Sequence, residues 1–223
     1  MGPNVLWLTE WLAESLELSA GMRVLDLGCG KALSSIFLAK EFDVHVAAVD
    51  LWIDAASNWK RIQEANAAEL VMPIHAEAHN LPFADEYFDA MVSLDAYHYF
   101  GTDDLYIGYC RRFLRRGGRL GIVVPGLVRE LGEALPDHLV SRWEWDFCSF
   151  HSPEWWRRHW EKTGLMSVEQ ADMMPEGWRH WLTWLEVAAD NGYPSSESET
   201  EMLRADRGTN LGFTRVIGRR RAV

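Results

Sequence analysis

The chain has 223 residues, 48% of them hydrophobic, and a formal net charge of −11. That length suits one large domain, and the apolar fraction is enough for a sizeable core. The acidic balance speaks against nucleic acid or an anionic membrane as partner, because both need a cationic surface, and no apolar stretch reaches the roughly eighteen residues of a membrane span. The Arg219-Arg220-Arg221 triplet is a local exception and reads as a solvated tail. The start, Met1-Gly2-Pro3-Asn4-Val5-Leu6-Trp7, lacks the basic residues and long apolar run of a signal peptide, so the expected location is cytoplasmic. Cys29, Cys110 and Cys148 are widely spaced, which argues against a disulfide framework or a zinc knuckle. Nothing in the sequence sets the oligomeric state.

Apolar residues at helical spacing from Leu6 to Leu18 predict an amphipathic helix, ended by Ala20-Gly21. Arg23–Leu27 is a short apolar strand, followed by a glycine turn and a helix from Ser34 to Phe42. Val44–Val49 is a second strand ending in Asp50, Ile53–Ala67 a helix, Leu70–Ile74 a third strand and Phe88–Ser93 a fourth. A helix is expected over Leu105–Leu114, with Arg115-Arg116 in its last turn and Gly117-Gly118 closing it. Arg119–Val124 is a fifth strand. Beyond Gly126 the pattern loosens. Ser152-Pro153 starts a helix to about Thr163, Leu165–Ala171 is a strand, and Pro175 to Asp190 is a Trp-rich helix. Tyr193–Thr200 reads as a mobile polar loop, and Leu211–Ile217 as a final strand.

Alternating helices and near-continuous apolar strands predict a doubly wound α/β fold with a sheet of about seven strands. Such sheets bind ligands at the carboxyl ends of the strands. Residues 1–126 are expected to form a Rossmann-like core. Residues 127–205 are expected to form a helical, Trp-rich cap that includes the sixth strand, and 206–223 the strand that completes the sheet, all in one compact unit. Eight of the twelve tryptophans fall between Trp143 and Trp184. They form either a core between cap helices and sheet or an aromatic pocket over the site.

The segment Val24-Leu25-Asp26-Leu27-Gly28-Cys29-Gly30-Lys31-Ala32 joins a buried strand to a turn that lets backbone approach a ligand. A carboxylate beside that turn suits a ligand with a cationic amino group and hydroxyls better than a pyrophosphate. A nicotinamide-binding fingerprint would need a third glycine three residues after Gly30, where Leu33 stands. The segment resembles the first motif of class I S-adenosylmethionine-dependent methyltransferases, the small-molecule branch that includes quinone-biosynthesis enzymes. Leu81-Pro82-Phe83 through Phe88-Asp89, Asp50 and Gly117-Gly118-Arg119-Leu120 resemble further landmarks of that family, in order, over roughly residues 20 to 126. Ala32 replaces the motif's third glycine. Alanine can stand there at small cost if the backbone stays in an ordinary helical or extended region.

The resemblance implies a mostly parallel sheet whose last strand is antiparallel. It implies S-adenosylmethionine as cofactor, S-adenosylhomocysteine as product and a small-molecule acceptor. Asp26, Gly28, Cys29 and Gly30 would face the methionine moiety, Asp26 alternatively capping the loop. Asp50 would take the ribose hydroxyls or cap a turn. Leu51 and Trp52 would lie against adenine, unless Trp52 packs on a helix. Glu77 would accept from the adenine amino group and Ala78 would offer its backbone amide, unless Glu77 is a plain surface residue. Ser93 and Leu94 would lie under the sulfonium. In many relatives an amino-terminal segment closes over the cofactor; here either that lid is missing or residues 127–205 replace it.

Methyl transfer needs alignment and exclusion of water, and a base only when the acceptor arrives protonated. Asp95 and His98 are the candidate catalytic bases, with His98 placed first because free imidazole titrates near neutrality; both could instead be structural. Tyr97, Tyr99, Trp155 and Trp178 are candidate substrate contacts. Arg142 and Arg179 could meet an acceptor carboxylate. His75 and His79 flank a strand end, so no metal is expected. The rival to an active transferase is a cofactor-binding protein without transfer activity, serving as a sensor or partner module.

Overall fold

The computed structural model describes residues 3–222; Met1 and Gly2 of the amino-terminal segment and Val223 of the last one lie outside the described residues. Helix α1 (Val5–Leu16) is capped by Asn4, whose side-chain oxygen accepts from the Leu6 N–H at 3.1 Å. It buries Leu8, Trp11, Leu12 and Leu16. Seven strands follow: β1 (Arg23–Leu27), β2 (His45–Asp50), β3 (Val71–His75), β4 (Phe88–Leu94), β5 (Leu114–Leu127), β6 (Met166–Met173) and β7 (Leu211–Arg220). Their order is β3-β2-β1-β4-β5-β7-β6. The pairings from β3 to β5 are parallel, and β7 runs antiparallel to both β5 and β6. This is the expected doubly wound sheet. Its strand order reverses between β1 and β4, and that crevice is the binding position of the fold.

Both faces are covered, which is why the central strands read as unbroken apolar runs. On one face lie α1, α2 (Leu33–Phe42) and α3 (Ala55–Glu64), contributing Leu8, Leu12, Leu38 and Ile62. On the other lie α4 (Tyr106–Cys110) and α6 (Pro153–Glu161), contributing Tyr106, Ile107, Trp156 and Trp160. The expected stretch 127–205 therefore divides. Helix α6 and strand β6 belong to the sheet layers. Two insertions flank them: one carries α5 (Asp137–Val140), the other, between β6 and β7, carries α7 (Gly177–Asp190) and α8 (Glu197–Asp206).

Two expected elements are corrected. The helix foreseen over Leu105–Leu114 stops at Cys110, tightens into a 3₁₀ turn over Arg111–Phe113, and gives way to β5. Gly117-Gly118 does not close a helix but forms a bulge, where the register of β4 on β5 shifts between Phe88 and Ala90. Gly117 has φ +74°, and a Cβ on Gly118 would sit 2.9 Å from both the Arg115 and Asp89 carbonyls. Arg115 and Arg116 pair with Asp89 and Glu86 instead of capping a helix. The loop foreseen over Tyr193–Thr200 contains the start of α8, with Ser196 accepting from the Glu199 N–H at 3.1 Å.

Candidate active site

The turn after β1 is fixed at both ends. Gly28 and Cys29 donate their N–H groups to the Val49 carbonyl at 2.8 and 3.0 Å. Gly28 has φ +76°, and a Cβ there would run into the Ala96 side chain, so the turn and the loop after β4 touch backbone to side chain. Gly30 has φ +54° and faces open space. The Gly30 N–H donates to Asp50 Oδ2 at 2.8 Å, and the Gly30 carbonyl accepts from Asn58 Nδ2 at 2.9 Å. Cys29 is buried in the core, where burial and the charges of Asp26 and Asp50 push its thiol well above the ordinary value. Ala32 departs from expectation. It lies at φ +58°, in the left-handed region rather than an ordinary one, and is buried.

Asp26 is fully buried, and its Oδ2 accepts from both the Ser34 and Ser35 hydroxyls at 2.6 Å. Burial pushes its carboxyl up to about 6 against the lowering effect of those two hydroxyls. Its Oδ1 is buried without a hydrogen-bond partner. Such an orphaned acceptor is costly unless a donor reaches it. A ligand amino group, directly or through water, is a donor of the right kind.

Asp50, at the end of β2, works harder within the fold than a ligand contact alone requires. Its Oδ1 accepts from the Trp52 and Ile53 N–H groups, both at 2.8 Å, while Oδ2 holds Gly30. Three of the roughly four acceptor positions of a carboxylate are thus taken. One stays available for a hydroxyl. Leu51 and Trp52 are exposed, Trp52 at 75%, with its ring edge-on to Tyr99 at 5.7 Å. Trp52 therefore packs on no helix core. The Leu51 carbonyl accepts from His75 Nε2 at 2.7 Å. Glu77 is exposed and accepts from His79 Nδ1 at 2.6 Å, which holds its carboxyl below the usual range. The Ala78 carbonyl accepts from the Tyr106 hydroxyl at 3.1 Å. Ser93 is buried and donates its hydroxyl to the Leu27 carbonyl at 2.7 Å, stitching β4 to β1.

The segment after β4 separates the other candidates. Asp95 is half-buried at φ +55°, its N–H bound to the Val123 carbonyl at 2.8 Å. Burial, followed by the charge of Glu199, pushes its carboxyl up to about 7. His98 is only 3% exposed, packed 4.1 Å from the Tyr99 ring and 5.8 Å from Phe150. Burial pulls its imidazole down to about 4, so it is neutral and weakly basic at pH 7. Burial thus moves the two expected bases in opposite directions, the Asp95 carboxyl toward neutrality and the His98 imidazole away from it.

The four expected substrate contacts lie in different parts of the fold. Tyr97 is fully buried among Tyr106, Trp156 and Trp160, and belongs to the core. Trp155 stacks between His151 at 3.6 Å and His159 at 4.4 Å on α6, in the layer that carries the core aromatics. Trp178 lies against Gly208 and lines a separate cavity of about 250 Å³ with Met173, Met174 and Arg207. Only Tyr99, 53% exposed, faces the crevice. Arg142 and Arg179 pair with Glu201 and Glu176. Among the described residues no group of three His, Cys, Asp or Glu side chains could hold a metal ion, and no helix is long and apolar enough to cross a membrane.

Residues 24–118 match the family model of a methyltransferase domain. Over that stretch the chain is similar to S-adenosylmethionine-dependent methyltransferases. It is 34% identical over 118 residues to 27-O-demethylrifamycin SV methyltransferase of Amycolatopsis mediterranei, covering 52% of this chain and 43% of that one. It spans about half the length of the curated relatives it matches. Geranyl diphosphate C-methyltransferase from Streptomyces coelicolor A3(2), solved with Mg2+, geranyl diphosphate and S-adenosylhomocysteine, superposes with a TM-score of 0.75 at 17% identity over 96% of this chain and 77% of that one. The [4+2]-cyclase SpnF superposes with a TM-score of 0.73 at 18% identity over 97% of this chain and 81% of that one. Solved structures of the same fold hold S-adenosylmethionine or S-adenosylhomocysteine, and the open space at Gly30 and the orphaned Asp26 Oδ1 fit that cofactor.

Proposed function

We propose that the protein moves the methyl group of S-adenosylmethionine to an oxygen, nitrogen or carbon atom of a small-molecule acceptor, with Asp95 as the base. The observation that carries this reading is the position of Asp95. It follows the strand that flanks the binding crevice, and its carboxyl is poised near 7 beside the exposed Tyr99. The bound donor supplies a methyl group already activated on a sulfonium. What remains for the chain is to hold, align and dry the site.

The Gly28–Gly30 turn and Asp26 would hold the methionine end. Asp50 would accept one ribose hydroxyl. Leu51, Trp52, Glu77 and Ala78 would surround adenine. Asp95 would take the acceptor proton as the new bond to carbon forms and the sulfur keeps the electron pair of the broken one. His98 would pack the floor of the site. The insertions carrying α5, α7 and α8 would cover it. A small acceptor is supported by the relatives' own substrates, and the net charge of −11 disfavours nucleic acid as the acceptor.

The test is incubation of the protein with methyl-labelled S-adenosylmethionine and a metabolite extract, with mass identification of the labelled product. Labelled product that disappears in Asp95→Asn supports the proposal. Binding of S-adenosylhomocysteine with no labelled product from any extract would instead favour a cofactor-binding protein without transfer activity.

A further inference from the structure

The insertion that carries α7 and α8 leaves the sheet after Met173 and returns to it at Leu211. The cavity of about 250 Å³ beside Trp178 is lined by both junctions, with Val128, just past β5, completing it. Hydrogen bonds fix its backbone frame. The Met174 N–H donates to the Phe213 carbonyl at 2.8 Å and the Val128 N–H to the Asn210 carbonyl at 2.7 Å. The buried Asp206 carboxylate accepts from the Asn210 and Leu211 N–H groups, both at 2.9 Å. A Cβ on Gly208 would stand 2.2 Å from the Trp178 ring, so bare backbone lies against the indole.

The lining divides by chemistry. Met173, Met174, Leu211 and Val128 supply apolar surface, the two thioethers being adaptable in shape. Trp178 supplies a ring. Two lining residues carry a formal charge, and one of them is already paired. Glu176 takes Arg179 at 2.8 Å, and the Arg179 guanidinium lies 5.2 Å from the Trp178 ring. Arg207 is the other. Among the described residues its guanidinium forms no ion pair and no hydrogen bond, and the Trp178 indole N–H has no acceptor. Arg207 closes α8 at φ +51°, which turns the chain back toward β7 and leaves this residue on the cavity lining instead of along the helix.

The uncommitted polar groups of the cavity are therefore donors, one of them cationic. A carboxylate, with two acceptor oxygens and a negative charge, is their complement. A bare inorganic anion would leave the thioethers and Leu211 uncovered. A cavity of about 150 Å³ holds benzene, so about 250 Å³ holds roughly ten non-hydrogen atoms. We propose that this cavity is a second ligand site, for a small carboxylic acid with an apolar body. Arg207 meets the carboxylate, and Trp178, Met173 and Met174 enclose the rest. The site is separate from the crevice of Asp26, Asp50 and Asp95, and the proposal does not depend on the transfer reaction.

The test titrates the full chain by calorimetry with phenylacetate and with its neutral isostere 2-phenylacetamide. Phenylacetate is expected to bind about tenfold tighter than the amide. Arg207→Gln is expected to remove that difference, weakening phenylacetate about tenfold and leaving the amide unchanged. Val128→Trp fills the cavity from an exposed position and is expected to abolish binding of both probes. No phenylacetate binding, equal affinity for the two probes, or phenylacetate binding unchanged in either variant overturns the proposal. Displacement of bound S-adenosylhomocysteine by phenylacetate also overturns it, because the acid would then occupy the crevice. Failure of S-adenosylhomocysteine itself to bind counts against the cofactor site, and the phenylacetate titration of the free chain still decides the second site.

Discussion

The backbone N–H of Gly30 donates to Asp50 Oδ2 at 2.8 Å, so the carboxylate at the end of β2 is also the latch of the glycine turn. Because Asp50 accepts from Trp52 and Ile53 as well, Asp50→Ala strands three backbone donors at once. All three bonds are part-buried, so each stranded donor costs about 1 kcal/mol, the low end for an unsatisfied group. A loss of at least ~3 kcal/mol in denaturant melts is therefore expected, together with a drop of about tenfold or more in S-adenosylhomocysteine affinity. Calorimetry on the folded fraction separates the two effects. Unchanged affinity would reduce Asp50 to a purely structural latch.

Asp95 and Asp26 set the pH behaviour. Both carboxyls are raised above their usual 3.8, to about 7 and about 6. The folded chain keeps those protons where the unfolded chain has lost them, so their contribution to stability is complete below pH 4 and falls as pH rises through 6 and 7. Asp95→Asn should flatten the upper part of that fall, making the variant more stable relative to wild type at pH 8 than at pH 4. Activity has the opposite sign. With Asp95 as base, log kcat/KM should climb with pH and level off above about 7, and the climb should vanish in the variant. Melts and initial rates over the same pH range test both.

The glycine turn allows a paired comparison. Gly28→Ala puts a methyl group on a φ of +76° and into Ala96. The left-handed conformation alone costs about 1–2 kcal/mol, and the collision adds to it. Ala32 already bears that strain at φ +58°. Ala32→Gly removes the strain, but it gives up a buried methyl of about 0.8 kcal/mol and adds unfolded-state entropy of about 0.4–1 kcal/mol. Gly28→Ala should lower the melting temperature clearly, while Ala32→Gly should stay within about 1 kcal/mol of wild type. A large loss in Ala32→Gly would mean that the methyl, not the turn, is what matters at that position.

The sheet and the turn after β1 were legible because β1 and β2 are covered on both faces and lead into residues whose chemistry is local: Asp26, Gly28, Asp50. The acceptor side was not. Ser196-Glu197-Ser198-Glu199 has the S-x-x-E pattern of a helix start, yet its polarity suggested a loop. Glu199 spends its side chain on Trp181 rather than on a cap, a contact between α7 and α8 that no local pattern announces. Tyr97 and Tyr99 are two residues apart in one 3₁₀ turn, yet one is core and the other faces the crevice, because that turn points them into different layers. The rank of His98 over Asp95 came from free-residue values, and burial moved the two groups in opposite directions.

That division among the aromatics yields a last prediction. Tyr99 is exposed beside Trp52, whereas Trp155 is sandwiched by His151 and His159 on α6. Tyr99→Leu removes ring and hydroxyl from the crevice while leaving the core intact. It should raise the acceptor KM by about tenfold, the scale of one lost aromatic contact, and leave the melting temperature within a few degrees. Trp155→Leu should do the reverse. Losing a stacked, half-buried indole lowers the melting temperature, while KM measured well below the transition stays at the wild-type value. If Trp155→Leu raised KM as strongly as Tyr99→Leu, the acceptor would reach the α6 layer, and the crevice beside Tyr99 would be only part of its site.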